Sequence, residues 1–122
     1  MYAFDFERPK TIAEAVKALG REDAQALGGG QTLIPTLKQR LASPSVLVSL
    51  NGIKEMIGVR KEGDTLIIGG ATPHAVVAKE ATAYPALAAL AGAIGDPSVR
   101  SRGTIGGSVA NDDPAADYPA AV

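Results

Sequence analysis

The stretch Ala24-Gln25-Ala26-Leu27-Gly28-Gly29-Gly30-Gln31-Thr32-Leu33-Ile34-Pro35 decides how this chain folds. A short strand over Ala24 to Leu27 runs into a row of glycines. Beyond them Leu33 to Leu41 reads as a helix, with Pro35 in its first turn, where a missing N–H costs little. Val46-Leu47-Val48-Ser49-Leu50 follows, a β-branched run bounded by Ser43-Pro44 and Asn51-Gly52, and it reads as a buried strand parallel to the first. Strand, helix and parallel strand make a βαβ unit, for which a right-handed crossover is the favoured topology. Upstream, Thr11-Ile12-Ala13-Glu14 is a capping box. It starts a helix with Ile12, Ala15, Val16 and Leu19 on one face and Gly20 at its end.

Near Gly58 the pattern changes. Val59-Arg60-Lys61 and Thr65-Leu66-Ile67-Ile68 flank Glu62-Gly63-Asp64, the signature of an antiparallel hairpin. Thr72-Pro73 caps a short helix reaching about Ala78, and Pro85 opens an Ala/Leu helix that Gly95 closes. Asp96 to Val122 is dense in Gly, Pro and Asp with little periodicity and reads as a loop-rich tail, the kind of segment that carries a site. The switch from βαβ to hairpin predicts two subdomains, 1–58 and 59–122. The second is expected to be incomplete, because Ala120-Ala121-Val122 supplies no finishing element.

Composition narrows the function. The chain has 122 residues, 14 of them Gly and 8 Pro, with 3 Tyr, 2 Phe and no Trp, so its core is built from Ala, Val, Leu and Ile. Twelve Lys+Arg against 13 Asp+Glu give a net charge of −1, which argues against a nucleic-acid or anionic-membrane partner. Without Cys there is no disulfide, no thiolate catalysis and no iron–sulfur or zinc site held by this chain's own thiolates, and a single His forms no metal cluster. Met1 to Glu7 lacks the apolar region of a secretory signal, and Ala86 to Ile94 is too short to span a bilayer. A soluble cytoplasmic protein is expected.

Two glycine loops carry the chemistry. In Gly28-Gly29-Gly30-Gln31-Thr32 the glycines let backbone approach a ligand with its N–H groups free, a geometry suited to a phosphate or pyrophosphate. No Gly-Lys-Ser/Thr follows, and Leu33 stands where a dinucleotide fingerprint has its third glycine. A tight strand-to-helix turn accounts for this loop equally well. In Arg102-Gly103-Thr104-Ile105-Gly106-Gly107-Ser108 a second run of amides with hydroxyls at both ends suits a diphosphate gripped from the other side. The competing reading is a bulged strand end. Together the loops favour a dinucleotide cleft. His74, a lone histidine, reads as a surface or capping residue rather than a general base. Arg100 and Arg102 either balance phosphate charge or are solvated, Asp112 and Asp113 serve turns and caps, and Tyr84 and Tyr118 pack at turns before Pro85 and Pro119.

The segments Leu27 to Pro35 with Leu37-Lys38, and Arg102 to Ser108 with Asp113-Pro114-Ala115-Ala116-Asp117-Tyr118-Pro119, resemble the two FAD-binding motifs of the molybdenum hydroxylases. The chain looks like the flavin-carrying medium subunit of aerobic-type carbon monoxide dehydrogenases and the flavin domain of xanthine dehydrogenases. Met1 to Leu19 resembles that subunit's start, and the likeness runs in order through nearly the whole chain. It implies an α+β architecture of the FAD-binding PCMH, or vanillyl-alcohol-oxidase, type: an α/β N-terminal subdomain followed by the start of an α+β subdomain, with FAD between them. It further implies that Leu27, Gly28, Gly29, Gly30, Gln31, Thr32, Leu33 and Ile34 wrap the pyrophosphate and ribityl region. Thr104, Ile105, Gly106, Gly107 and Ser108 close on the diphosphate, Asp117 accepts a hydrogen bond from FAD, and Ile94 lies near the flavin. Gly28 stands where relatives commonly carry Ala, and their flavin domain continues well past position 122.

The resemblance implies an electron-transfer role. The flavin subunit receives electrons from two [2Fe–2S] clusters on a small subunit and passes them to an external acceptor, while a molybdopterin-binding large subunit oxidises the substrate. The absence of Cys agrees with clusters held by a partner. No catalytic residue and no metal ligand is assigned to this chain, and by itself it is expected to hold FAD weakly or not at all. Two alternatives remain: a stand-alone FAD oxidoreductase of the same fold, and a non-catalytic interaction module whose glycine loops are only turns.

Overall fold

The computed structural model describes residues 1–122. β1 (Asp5–Glu7), β2 (Ala24–Leu27) and β3 (Val46–Ser49) form a parallel sheet in the order β1-β3-β2. β2 and β3 pair in parallel, as expected, with Ala24 opposite Val46 and Leu27 opposite Ser49. Parallel neighbours need crossovers. They are α1 (Ile12–Leu19) between β1 and β2, and α2 (Leu33–Lys38) between β2 and β3. β3 is central and buried along its whole length, which explains its unbroken Val-Leu-Val run. Ala15 and Ala18 of α1 pack on Val46, Val48 and Ile53, and their small side chains let the helix sit close to the sheet.

The capping box forms as read: Thr11 Oγ1 accepts from the Glu14 N–H at 3.1 Å, and a Glu14 carboxylate oxygen accepts from the Lys10 N–H at 2.9 Å. α2 is shorter than the expected Leu33 to Leu41. It stops at Lys38 because Arg40 takes a left-handed backbone with φ 57°.

β4 (Val59–Glu62) and β5 (Thr65–Ile68) make the expected antiparallel hairpin. Then come α3 (His74–Glu80) and α4 (Pro85–Gly92), the latter with Pro85 in its first turn. Val77, Ala81, Leu87, Ala91 and Tyr118 form a second buried cluster, separate from the one around β3, with Val59, Leu66 and Ile68 of the hairpin packed against it. Thr72 does not cap α3. Its buried hydroxyl instead holds Gly58, accepting from the Gly58 N–H at 2.9 Å and donating to the Gly58 carbonyl at 3.3 Å.

The tail departs most from its reading. Its first part holds two helices rather than loop: α5 (Pro97–Arg102), where Asp96 accepts from the Val99 N–H, and α6 (Ile105–Asn111), where Thr104 accepts from the Gly107 N–H. Both are too short to show periodicity, and both are defined by their caps. Asp112 ends α6 with φ 52°, and Asp113 Oδ1 accepts from the Ala115 N–H, the turn chemistry expected of them. No helix is long and apolar enough to cross a membrane.

Candidate functional site

The two glycine loops, far apart in sequence, meet. Gly29 lies so close to Arg102 and Gly103 that an ideal Cβ on it would overlap the Arg102 carbonyl and stand 2.6 Å from Gly103 Cα. An ideal Cβ on Gly28 would stand 2.9 Å from Thr104 Oγ1. Glycine at 29 is therefore dictated by backbone-on-backbone contact. At Gly30 it is dictated by φ 76°, which turns the chain from β2 toward α2.

The loops differ in how they use their amides. No backbone N–H from Gly28 through Leu33 donates a hydrogen bond within the chain. Gln31 folds its amide group back onto the Gly29 carbonyl, donating to it at 3.2 Å. Gly30 is buried, so its unpaired N–H is costly unless something outside the chain accepts from it. In the second loop the amides are already bound: Ile105 donates to the Thr72 carbonyl, Gly106 to the Gly70 carbonyl, Gly107 to Thr104 Oγ1 and Ser108 to the Thr104 carbonyl. The expected run of open amides there is absent because α6 begins inside the motif and 103–106 is bonded edgewise to 70–74. Thr104 is buried and Ser108 half-buried, while Asp117 is exposed beside Tyr118.

The sequence reading misplaced His74 and missed a role of Arg100. His74 is not on the surface: it is 5% exposed, and its Nδ1 is hydrogen-bonded at 2.8 Å to the hydroxyl of the fully buried Tyr118. Tyr118 supplies the partner from 44 residues away, which no local pattern announces. Arg100 is half-buried beside the second loop. Its Nη1 donates to the carbonyls of Ile94 and Gly95, closing the turn before α5.

Burial lowers the pKa of His74 from its ordinary 6.5, against a smaller upward pull from the Asp117 charge. Burial, with Asp117 adding to it, pushes the Tyr118 hydroxyl up to about 12. Both groups are held neutral at pH 7. The unfolded chain thus binds a proton at His74 more readily than the folded one, so stability is full above about pH 6.5 and falls as the pH drops below it. A series of melting temperatures from pH 7 to pH 5 is expected to decline in the native chain and to flatten in His74→Asn. Equal slopes in the two would contradict the assignment.

Residues 2–122 match the family described as the FAD binding domain in molybdopterin dehydrogenase. The chain belongs to this family. It is 45% identical over 123 residues to the carbon monoxide dehydrogenase medium chain of Afipia carboxidovorans, covering 97% of this chain and 43% of that one. The carbon monoxide dehydrogenase structure from Hydrogenophaga pseudoflava that lacks the Mo-pyranopterin moiety superposes with a TM-score of 0.92 at 42% identity, over 98% of this chain and 43% of that chain. Quinoline 2-oxidoreductase from Pseudomonas putida 86 gives a TM-score of 0.91 at 32% identity, over 97% and 43%. The chain thus spans less than half the length of the proteins it matches, and these relatives are subunits of oxidoreductases. Across that shared span the α+β fold expected from the resemblance is the fold of the family.

Proposed function

We propose that this chain is the FAD-gripping part of a flavin subunit in a molybdenum hydroxylase, with Gly28 to Leu33 as its diphosphate cradle. The observation that carries this reading is the run of unpaired amides ending the parallel strand β2, with the buried Gly30 N–H at its centre. Several N–H groups turned to one ligand suit the oxygens of a diphosphate, and charge-assisted bonds of this type are the stronger kind. Leu27 and Ile34 border the cradle, with the end of the Ile34 side chain packed over Gly30.

In this reading Thr104 to Ser108 do not grip with open amides. Thr104 seats the first loop against Gly28, and the Arg102–Gly103 backbone just before it seats Gly29. Asp117 is retained as a polar contact to FAD on the family likeness alone.

FAD when bound supplies the redox-active ring system. The chain supplies hydrogen-bond donors and shape, and no acid–base catalyst is assigned to it. Its partners are a molybdopterin-binding large subunit and a small subunit whose [2Fe–2S] clusters need thiolates that this chain, with Cys 0, does not have. Electrons from those clusters leave through this subunit to an external acceptor. Titrating FAD into the chain and following quenching of flavin fluorescence tests the reading: saturable quenching, competed by ADP, is expected. No quenching up to millimolar protein would contradict it and favour glycine loops that are only turns.

A further inference from the structure

We propose that His74 is a positioning residue for the first glycine loop, setting through Gly103 the height of the backbone on which Gly29 rests, an inference that builds on the cofactor reading above.

The geometry forms a row. Tyr118 is fully buried and hydrogen-bonded to His74 Nδ1 at 2.8 Å, with the ring centroids 5.3 Å apart. The other edge of the imidazole faces Gly103: an ideal Cβ there would stand 2.7 Å from Nε2 and 2.9 Å from Cδ2. Gly103 has φ −59° and ψ 141°, a conformation open to any residue, so what glycine provides at this position is room for the ring. The His74 N–H also donates to the Gly103 carbonyl at 2.9 Å, which ties the backbones of the two residues together. Gly29 then comes up against the same Arg102–Gly103 peptide. Interiors packed this closely transmit small displacements instead of absorbing them. The size of the imidazole and its bond to Tyr118 therefore fix where Gly103 lies, and Gly103 fixes the open amides.

A double-mutant cycle read by amide NMR tests this on the full chain. His74→Ala is expected to shift the Gly28 to Leu33 amide resonances and to weaken FAD binding about 10-fold or more. Gly103→Ala in the native background drives a methyl into the imidazole and is expected to do the same. In the double variant the methyl fills space the ring has left, so the two effects combine to less than their sum and the amide resonances return toward their native positions. Tyr118→Phe keeps the ring and removes only the hydroxyl; it should shift the same amides by a smaller amount, and it guards against a His74→Ala chain that does not fold. A role in global stability alone would lower melting temperature without moving those resonances selectively. The proposal is overturned if His74→Ala and Tyr118→Phe leave Gly28 to Leu33 in place, or if the cycle is additive. Because the amide shifts are read without FAD, failure of the native chain to bind FAD would contradict the cofactor reading and leave the coupling result standing.

Discussion

Replacing Gly29 by alanine is expected to weaken FAD binding by about 100-fold, equivalent to about 2.7 kcal/mol. The new Cβ would fall on the Arg102 carbonyl and within 2.6 Å of Gly103 Cα, and both are backbone atoms that no rotamer change can move aside. Either the loops part, and the amide run loses its seat, or the overpacking strain stays in the fold at a cost of about 1–3 kcal/mol. The first outcome shows mainly as lost affinity, the second as a melting temperature lower by about 5–10 °C. A variant with native affinity and native stability would show that the two loops do not touch as described. Gly106 is a poorer site for this test, because a Cβ there would overlap the Gly70 carbonyl and damage the fold whether or not a cofactor binds.

Thr32→Asp is expected to move stability and binding in opposite directions. Thr32 stands before α2 and makes no side-chain capping bond. The Ile34 N–H already donates to the Gly30 carbonyl and Pro35 has no N–H, so an aspartate there gains no capping bond and adds only a charge–dipole contribution of about 0.3–1 kcal/mol. The same carboxylate stands beside the Gly28 to Leu33 amides and repels a diphosphate's charge, so FAD affinity should fall about 10-fold or more. Melting temperature and dissociation constant measured on one preparation decide the matter. An affinity that rises with stability would mean the amide run does not bind an anion.

Much of this arrangement could be read from residue types. The capping box at Thr11 and Glu14, the β-branched run at Val46 and the hairpin around Gly63 each state their structure within a few residues, and all of them form. Family motifs supplied the candidate residues on both glycine loops. What escaped the reading depends on contacts between distant segments. Gly106 and Gly107 lie inside α6, where each costs about 1 kcal/mol of helix propensity; at Gly106 the close approach of Gly70 requires the absence of a side chain. His74 looked solitary because its partner, Tyr118, arrives only when the tail folds back onto α3 and α4. The second motif looked like a set of donors because neither Gly70 nor Thr72 announces in sequence that its carbonyl will take them.

The most direct test of the central claim is to follow the backbone amide resonances of the full chain while FAD is added up to millimolar concentration, which registers even weak binding. We expect the largest shifts at Gly28 to Leu33, with Ile105 to Ser108 moving little because their N–H groups are already bound within the chain. Saturable FAD binding that leaves Gly28 to Leu33 unshifted would contradict the account.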